Sequence, residues 1–459
     1  MQALHTRALR AAVALAGALL LAGLAGAPTA PAAARGALRV PAEPAGSRYA
    51  SGGEGPRRPA RPDEFAHSAA SRPSKPSGGK RRPKPRLHGD PARALAGFGE
   101  MQQAFYIIGT GLYVGEPYSY LWPFSQALAA TVSISNIPGQ TALQKLGEAR
   151  ELHVRMHGLT RYWSEPGAGS EPLPGEQPEV EENAPGEPSE TAGVPPPALP
   201  SYSGSVVPPA GVSYYDDNEW IGIELMRLYK LRHEPAVLER AEQIMQFVTS
   251  GWQANPKLAC PGGVPFSNSP SNTDRNTVTD GPGAELALQL YRVSGNPVYL
   301  QFAQTAYEWV RACLMQPSQL YSDHIRQHGL IDPTLWSYNQ GSMIGAGVLL
   351  YQATGDSAYL YQARQTAKAA LAYFTLERLL GENPFFVAVY LRNLMYLDSV
   401  THDPPGGRLA QQYIDYVWVN RRLVDNLFVF GSPPSSQLLV QAAAVQVYAL
   451  LASSPTTYF

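Results

Sequence analysis

The sequence predicts an all-α fold, an (α/α)6 toroid of six helical hairpins, and three observations lead there. First, Leu228-Tyr229, Leu290-Tyr291 and Leu350-Tyr351 open three matching segments with Leu nine and Ala twelve residues after the Tyr. Inside them lie Arg232-His233-Glu234-Pro235, Ser294-Gly295-Asn296-Pro297 and Thr354-Gly355-Asp356-Ser357, which read as helix stop, tight turn and helix restart. A helical hairpin repeated about every 60 residues must bury its apolar face on its neighbours. Second, no segment alternates apolar and polar residues long enough to compete as a strand. Third, the last helix, Leu438 to Leu451, is apolar almost throughout. An open stack needs polar capping helices, so the ring closes.

Taken in order, the chain begins with Arg7 and Arg10 before an apolar run from Ala11 to Ala27 that ends in Ala25-Gly26-Ala27. These are the parts of a secretory signal peptide over 1–27, with an uncleaved anchor as the alternative. Either way the mature chain is expected to be secreted or held at the cell surface. Residues 28–92 read as a disordered Pro/Arg-rich linker. From 35 to 90 there are 13 Lys and Arg against 5 Asp and Glu, which suits loose contact with an anionic envelope or a plain solvated spacer. The folded domain is expected over 93–459, with a Pro/Glu-rich insertion at 165–200 that carries eight Glu and no Lys or Arg. Apolar residues recurring at helical period place helices near 95–110, 118–134, 141–162, 217–232, 236–252, 281–294, 297–315, 339–353, 356–379, 384–400, 407–427 and 436–452. The long linkers 163–216, 253–280 and 316–338 fall on alternate connections, so they gather on one rim, where function is expected.

Composition narrows the functional classes. A net charge of −1 argues against a nucleic-acid partner for the whole chain. Two cysteines exclude a disulfide-built scaffold and a cysteine-cluster metal site; whether Cys260 and Cys313 pair stays open. His153/His157 and His324/His328 are i,i+4 pairs able to share a helix face, but no HExxH glutamate accompanies them. No metal and no cofactor is expected, and the chain reads as a monomer.

Chemistry concentrates where linkers enter helices. Tyr214-Tyr215-Asp216-Asp217-Asn218-Glu219-Trp220 sets two carboxylates among aromatic residues at a helix start. Such a pair can serve acid–base work on a sugar, or simply occupy the first turn of a helix. Pro261-Gly262-Gly263-Val264-Pro265-Phe266, Asp274-Arg275-Asn276-Thr277, Tyr321-Ser322-Asp323-His324 and Ser337-Tyr338-Asn339-Gln340-Gly341 offer groups for hydroxyl recognition, and each alone is also ordinary turn chemistry. Gly341, Gly345 and Gly347 superficially resemble a phosphate loop, but they follow no strand and lack its Lys, so close helix packing explains them better.

Taken together and in this order, these motifs resemble glycoside hydrolase family 76, whose bacterial members include secreted endo-α-1,6-mannanases. The resemblance runs over residues 95–375 and includes Leu121-Trp122-Pro123-Phe124; the last 80 residues match only as helices. It implies an (α/α)6 fold and a glycan substrate. It also implies a retaining mechanism with Asp216 as nucleophile and Asp217 as general acid/base. Trp122, Tyr215, Trp220, Phe266, Asn276, Asp323, Tyr338, Asn339 and Gln340 would bind substrate. Phe266 stands where the family usually has Trp, and Arg275 where Lys is common. Two other readings accompany this one: a transglycosylase acting on cell-wall mannan, and a non-catalytic glycan-binding protein.

Overall fold

The computed structural model describes residues 89–165, 199–206, 212–431 and 437–459. The leader expected at 1–27, nearly all of the linker at 28–92 and most of the insertion at 165–200 lie outside the described residues. Residues 86–459 form one compact unit. Its helices are α1 (Asp90–Phe105), α2 (Leu121–Ser135), α3 (Ala142–Leu159), α4 (Tyr215–Arg232), α5 (Pro235–Ser250), α6 (Thr277–Ser294), α7 (Pro297–Cys313), α8 (Ser337–Thr354), α9 (Ser357–Tyr373), α10 (Leu376–Gly381), α11 (Pro384–Thr401), α12 (Pro405–Asn420) and α13 (Leu438–Leu451).

Helices α2, α4, α6, α8, α11 and α13 each pack on the next, and α13 packs back on α2. That closes an inner ring. Around it lie α3, α5, α7, α9 and α12, each on the inner helix that precedes it, with α1 on α13. Five of the six pairs are hairpins, whereas the sixth joins the first and last helices of the domain. The buried faces explain the layers. On α13 twelve of fourteen residues are buried, since an inner helix meets neighbours on every side. On α7 the buried residues Phe302, Ala303, Ala306, Tyr307, Trp309 and Val310 form one stripe, as an outer helix requires.

The three repeated turns behave as their residues dictate. His233, Gly295 and Gly355 adopt the left-handed conformation that ends α4, α6 and α8. Asn296 and Asp356 then cap α7 and α9 by accepting from Val298 N at 3.2 Å and Ala358 N at 2.9 Å. The glycines of α8 serve close packing: a Cβ on Gly341 would lie 2.7 Å from the Tyr390 Cα on α11. Three boundaries differ from expectation, one of them α12, expected over 407–427, which ends at Asn420 because Arg422 bridges to Phe428. Helix α1 begins inside the expected linker and ends at Phe105, because Tyr106 turns extended and bridges to Tyr113. The helix expected over 356–379 breaks at Phe374, and Thr375 caps a new one, α10, by accepting from Arg378 N.

A buried charge cluster joins α4 to α11. Arg227 Nη1 meets Glu224 at 2.6 Å, Arg392 Nη1 meets the other oxygen of Glu224 at 3.2 Å, and all three side chains are at most 4% exposed. Arg227 also donates to Ser133 Oγ and to the Thr457 carbonyl, and Arg392 lies over the Phe459 ring at 4.9 Å. Removing one member strands a buried charge, which costs about 3–5 kcal/mol. Arg392→Met is therefore expected to lower the free energy of unfolding by about that amount in urea titrations. The exposed pair Arg408–Asp403 gives under about 1 kcal/mol on the same assay.

Candidate active site

The N-termini of the inner helices meet the long linkers on one rim, and a repeated contact holds the linkers there. The fourth residue of α4, α6, α8 and α13 is a buried polar side chain that accepts from a backbone N–H of the incoming loop. Asn218 Oδ1 accepts from Tyr202 N at 2.8 Å, Asp280 Oδ2 from Val264 N at 3.1 Å, Gln340 Oε1 from Tyr321 N at 2.8 Å, and Gln441 Oε1 from Phe428 N at 2.9 Å. The three amides also donate back to the carbonyl of the same loop residue. Short strands add to the lacing. β1 (Trp163–Ser164) pairs with β2 (Ser201–Tyr202), and β4 (His324–Ile325) lies between β3 (Arg275–Asn276) and β5 (Ile331–Asp332). In the second linker Gly262 and Gly263 have φ of 115° and 82° and lie on the Trp309 indole, where no Cβ fits. Arg275 is bonded to the carbonyls of Ala259, Cys260 and Gly262. A disulfide joins Cys260 to Cys313 with the Cα atoms 6.1 Å apart, which answers the question the sequence leaves open.

Asp216 and Asp217 are the second and third residues of α4. The N-cap position belongs to Tyr214, which makes no side-chain cap bond, so neither aspartate is the N-cap residue. Asp216 is half-buried and Asp217 is 7% exposed. Across from them Tyr338, at the start of α8, is buried. Its phenol is pushed well above its ordinary range, first by burial and then by the charges of Asp323, Asp216 and Glu382. One side chain thus lies near three carboxylates from three different segments. Asp323 Oδ1 accepts from Asn339 Nδ2 at 2.9 Å, and Oδ2 contacts His324 Nδ1 at 3.1 Å. Asn276 is 7% exposed and its Oδ1 has no hydrogen-bond partner. An aromatic bank lies beside this group. Phe386 stacks on Tyr338 (ring centroids 4.1 Å apart) and on Trp122 (6.0 Å), and Trp336 tilts against it at 5.5 Å.

The family model described as Glycosyl hydrolase family 76 matches residues 203–389. In sequence and in fold the chain resembles family 76. A mannan endo-1,6-alpha-mannosidase of Saccharomyces cerevisiae is 25% identical over 152 residues, 31% of this chain and 33% of that protein. One of Candida albicans is 24% identical over 157 residues, 32% of this chain and 34% of that protein. The chain spans about a third of the length of the curated relatives it matches. Among solved structures, a family 76 mannosidase of Bacteroides thetaiotaomicron superposes with a TM-score of 0.66 at 18% identity, covering 79% of this chain and 98% of that one. An inactive variant of an alpha-1,6-mannanase of Salegentibacter, in complex with alpha-1,6-mannotriose, superposes with a TM-score of 0.60 at 18% identity, covering 79% and 99%. These likenesses establish the helical toroid.

The family 76 match contains Asp216, Asp217, Asn276, Asp323, Tyr338 and Asn339; Trp122 lies upstream of it. Three residues expected to bind substrate, Tyr215, Trp220 and Gln340, have their side chains engaged in packing or loop contacts, while the Phe266 carbonyl accepts from Tyr215 N at 3.0 Å beside the aspartates. Tyr215 stacks on Phe247 of the outer helix α5 at 4.5 Å, and Gln340 is spent on its loop bracket with no exposed surface. Trp220 is 3% exposed beneath the aromatic bank, edge-on to Phe385. Phe266 sits at the rim, edge-on to Tyr214. His324 and His328 share no helix, since His324 lies on β4 and His328 in the turn after it. Sequence reasoning gave no individual role to Trp336, His324 or Glu219, which stand in or next to its motifs, and did not single out Phe386. Only Glu219 carries a signal, its position three residues after Asp216 on the same helix.

Beneath the aspartates lie three acids with no exposed surface, Glu219, Asp280 and Glu285. Burial, reinforced by Asp216, Asp280 and Glu285, pushes Glu219 well above the usual carboxyl range. Burial likewise raises Asp280, and it lifts Glu285 to about 8 even with Arg392 at 3.8 Å. Each group binds its proton more tightly folded than unfolded. Their contribution to stability is therefore full below the ordinary carboxyl range and is lost as pH rises through the folded values. Melting temperature is expected to fall from pH 5 to pH 8. Glu285→Gln, which cannot ionise, should flatten that slope in calorimetric scans, and an unchanged slope would count against the assignment.

Proposed function

We propose that the chain is a retaining glycoside hydrolase that cleaves α-1,6-linked mannan internally, with Asp216 as nucleophile and Asp217 as general acid/base. The observation that carries this reading is the adjacent aspartate pair in the first turn of α4. The pair lies within the family 76 match, and Asp216 and Asp323 both act by their charge on Tyr338. Successive residues of a helix diverge by about 100°, so both carboxyls can flank one bond at the roughly 5–5.5 Å that retention requires. The positive end of the α4 dipole favours an ionised Asp216.

In the first step the Asp216 carboxylate attacks the anomeric carbon while the bond to the leaving oxygen breaks. Asp217 gives that oxygen its proton. In the second step Asp217, now a carboxylate, takes a proton from water, whose oxygen attacks the same carbon and releases Asp216. The aromatic bank of Trp122, Trp336 and Phe386 offers faces for pyranose C–H surfaces. Asp323 and Asn276 offer oxygens for sugar hydroxyls. The leader at 1–27 and the disulfide fit a secreted or surface-held protein, which meets its glycan outside the cytoplasm as a monomer.

Asp216→Asn and Asp217→Asn are each expected to lower turnover of soluble α-1,6-mannan by at least about a hundredfold, read as release of reducing ends. Turnover at the parent rate in both variants would overturn the reading.

A further inference from the structure

His324 occupies the middle strand of the rim sheet, opposite Asn276 on β3 and Asp332 on β5. Its side chain is 11% exposed. The two ring nitrogens meet different carboxylates: Nδ1 lies 3.1 Å from Asp323 Oδ2, and Nε2 lies 3.4 Å from Asp274 Oδ2. Asp274 also meets the partly exposed Arg326 at 4.0 Å. Asp323 in turn receives Asn339 on its other oxygen. The result is a file of side chains, Asp274, His324, Asp323 and Asn339, that runs from the outer rim to the start of α8 and ends beside Tyr338.

We propose that His324 is a positioning residue that holds the Asp323 carboxylate toward the cleft, so that the grip on the sugar depends on the charge of the imidazole. This rests on the mannan reading above. An imidazolium donates from Nδ1 to Asp323 and brings its charge within 3.4 Å of Asp274, which Nε2 approaches as an ion pair rather than a hydrogen bond. A neutral imidazole has one donor and no charge, so the attraction that holds both carboxylates to the ring is lost and Asp323 leans more on Asn339. Burial alone would lower the pKa of His324, but the hydrogen bond to Asp323 and the charges of Asp274, Asp323 and Asp332 together raise it. The imidazolium thereby persists to higher pH than an ordinary imidazole would, and the file loosens as pH rises through the folded value. Among the described residues the charged groups facing His324 are Asp274, Asp323 and Asp332, with Arg326 behind Asp274.

The test uses the full chain carrying Asp216→Asn and Asp217→Asn, so that mannotriose binds without turnover. Calorimetric titration from pH 5.5 to 9 should show α-1,6-mannotriose affinity falling at least about tenfold. The midpoint should coincide with the His324 titration seen by NMR, above the ordinary imidazole value. Adding His324→Gln, which keeps one donor, should give weaker binding that no longer varies with pH. Adding Asp274→Asn should lower both the NMR midpoint and the binding midpoint together. A His324 titration below the ordinary value, or a His324→Gln profile that matches the parent's, overturns the proposal. Parent binding that fails at every pH overturns the mannan reading itself and the sugar grip with it, while the NMR arm still reports whether His324 is held charged.

Discussion

The rim depends on one contact repeated four times: a buried polar side chain at the fourth position of an inner helix, bonded to the backbone of the loop that leads in. Long linkers crossing the mouth of a helical ring bring peptide groups into a dry interior, where each needs a partner. Asn218, Gln340 and Gln441 supply both a donor and an acceptor to one loop residue each. Asp280 supplies the acceptor for Val264. Each bracket places a loop relative to a helix start, and helix starts are where Asp216, Asn276 and Tyr338 stand. These four brackets, seven ordinary hydrogen bonds in all, tie the loops to the helix starts.

The same ring gives the site its polarity. Glu224, Arg227 and Arg392 bury a charge cluster deeper along the inner helices, whereas the candidate site lies at the rim where those helices begin. Five of the six inner helices lack a side-chain cap bond at that end. Their first turns are therefore left to whatever the rim supplies, and positive helix ends gather where the aspartates lie. Below, burial shifts Glu219, Asp280 and Glu285 toward their neutral forms, which lessens the repulsion among these three acids under the aspartates.

Much of the fold is legible in the sequence because hairpin turns are local. His233, Gly295 and Gly355 end helices by their own backbone freedom, and the apolar α13 announces closure. What escapes is set by contacts far along the chain. Helix α1 is read as ending about five residues late, because Tyr106, which prolongs its apolar pattern, is extended and bridges to Tyr113. In the candidate site, Asp216, Asp217, Asp323 and Tyr338 are legible as motif residues. The packing of Tyr215 and Trp220 and the loop bond of Gln340 are not legible, because an inner helix is buried all round. Hydrophobic periodicity then no longer says which face looks into the cleft. His324 escapes for the opposite reason: a two-residue strand has no period, and the spacing to His328 imitates a helix.

The central claim is that the two aspartates of α4 work as a nucleophile and an acid/base on one glycosidic bond. The most direct measurement follows the anomeric proton of the first product by NMR while an α-1,6-linked mannooligosaccharide is cleaved. The account predicts that the α-anomer appears first and the β-anomer only later, by mutarotation. First release of the β-anomer would mean a single inverting displacement, and would contradict the assignment of Asp216 as a nucleophile.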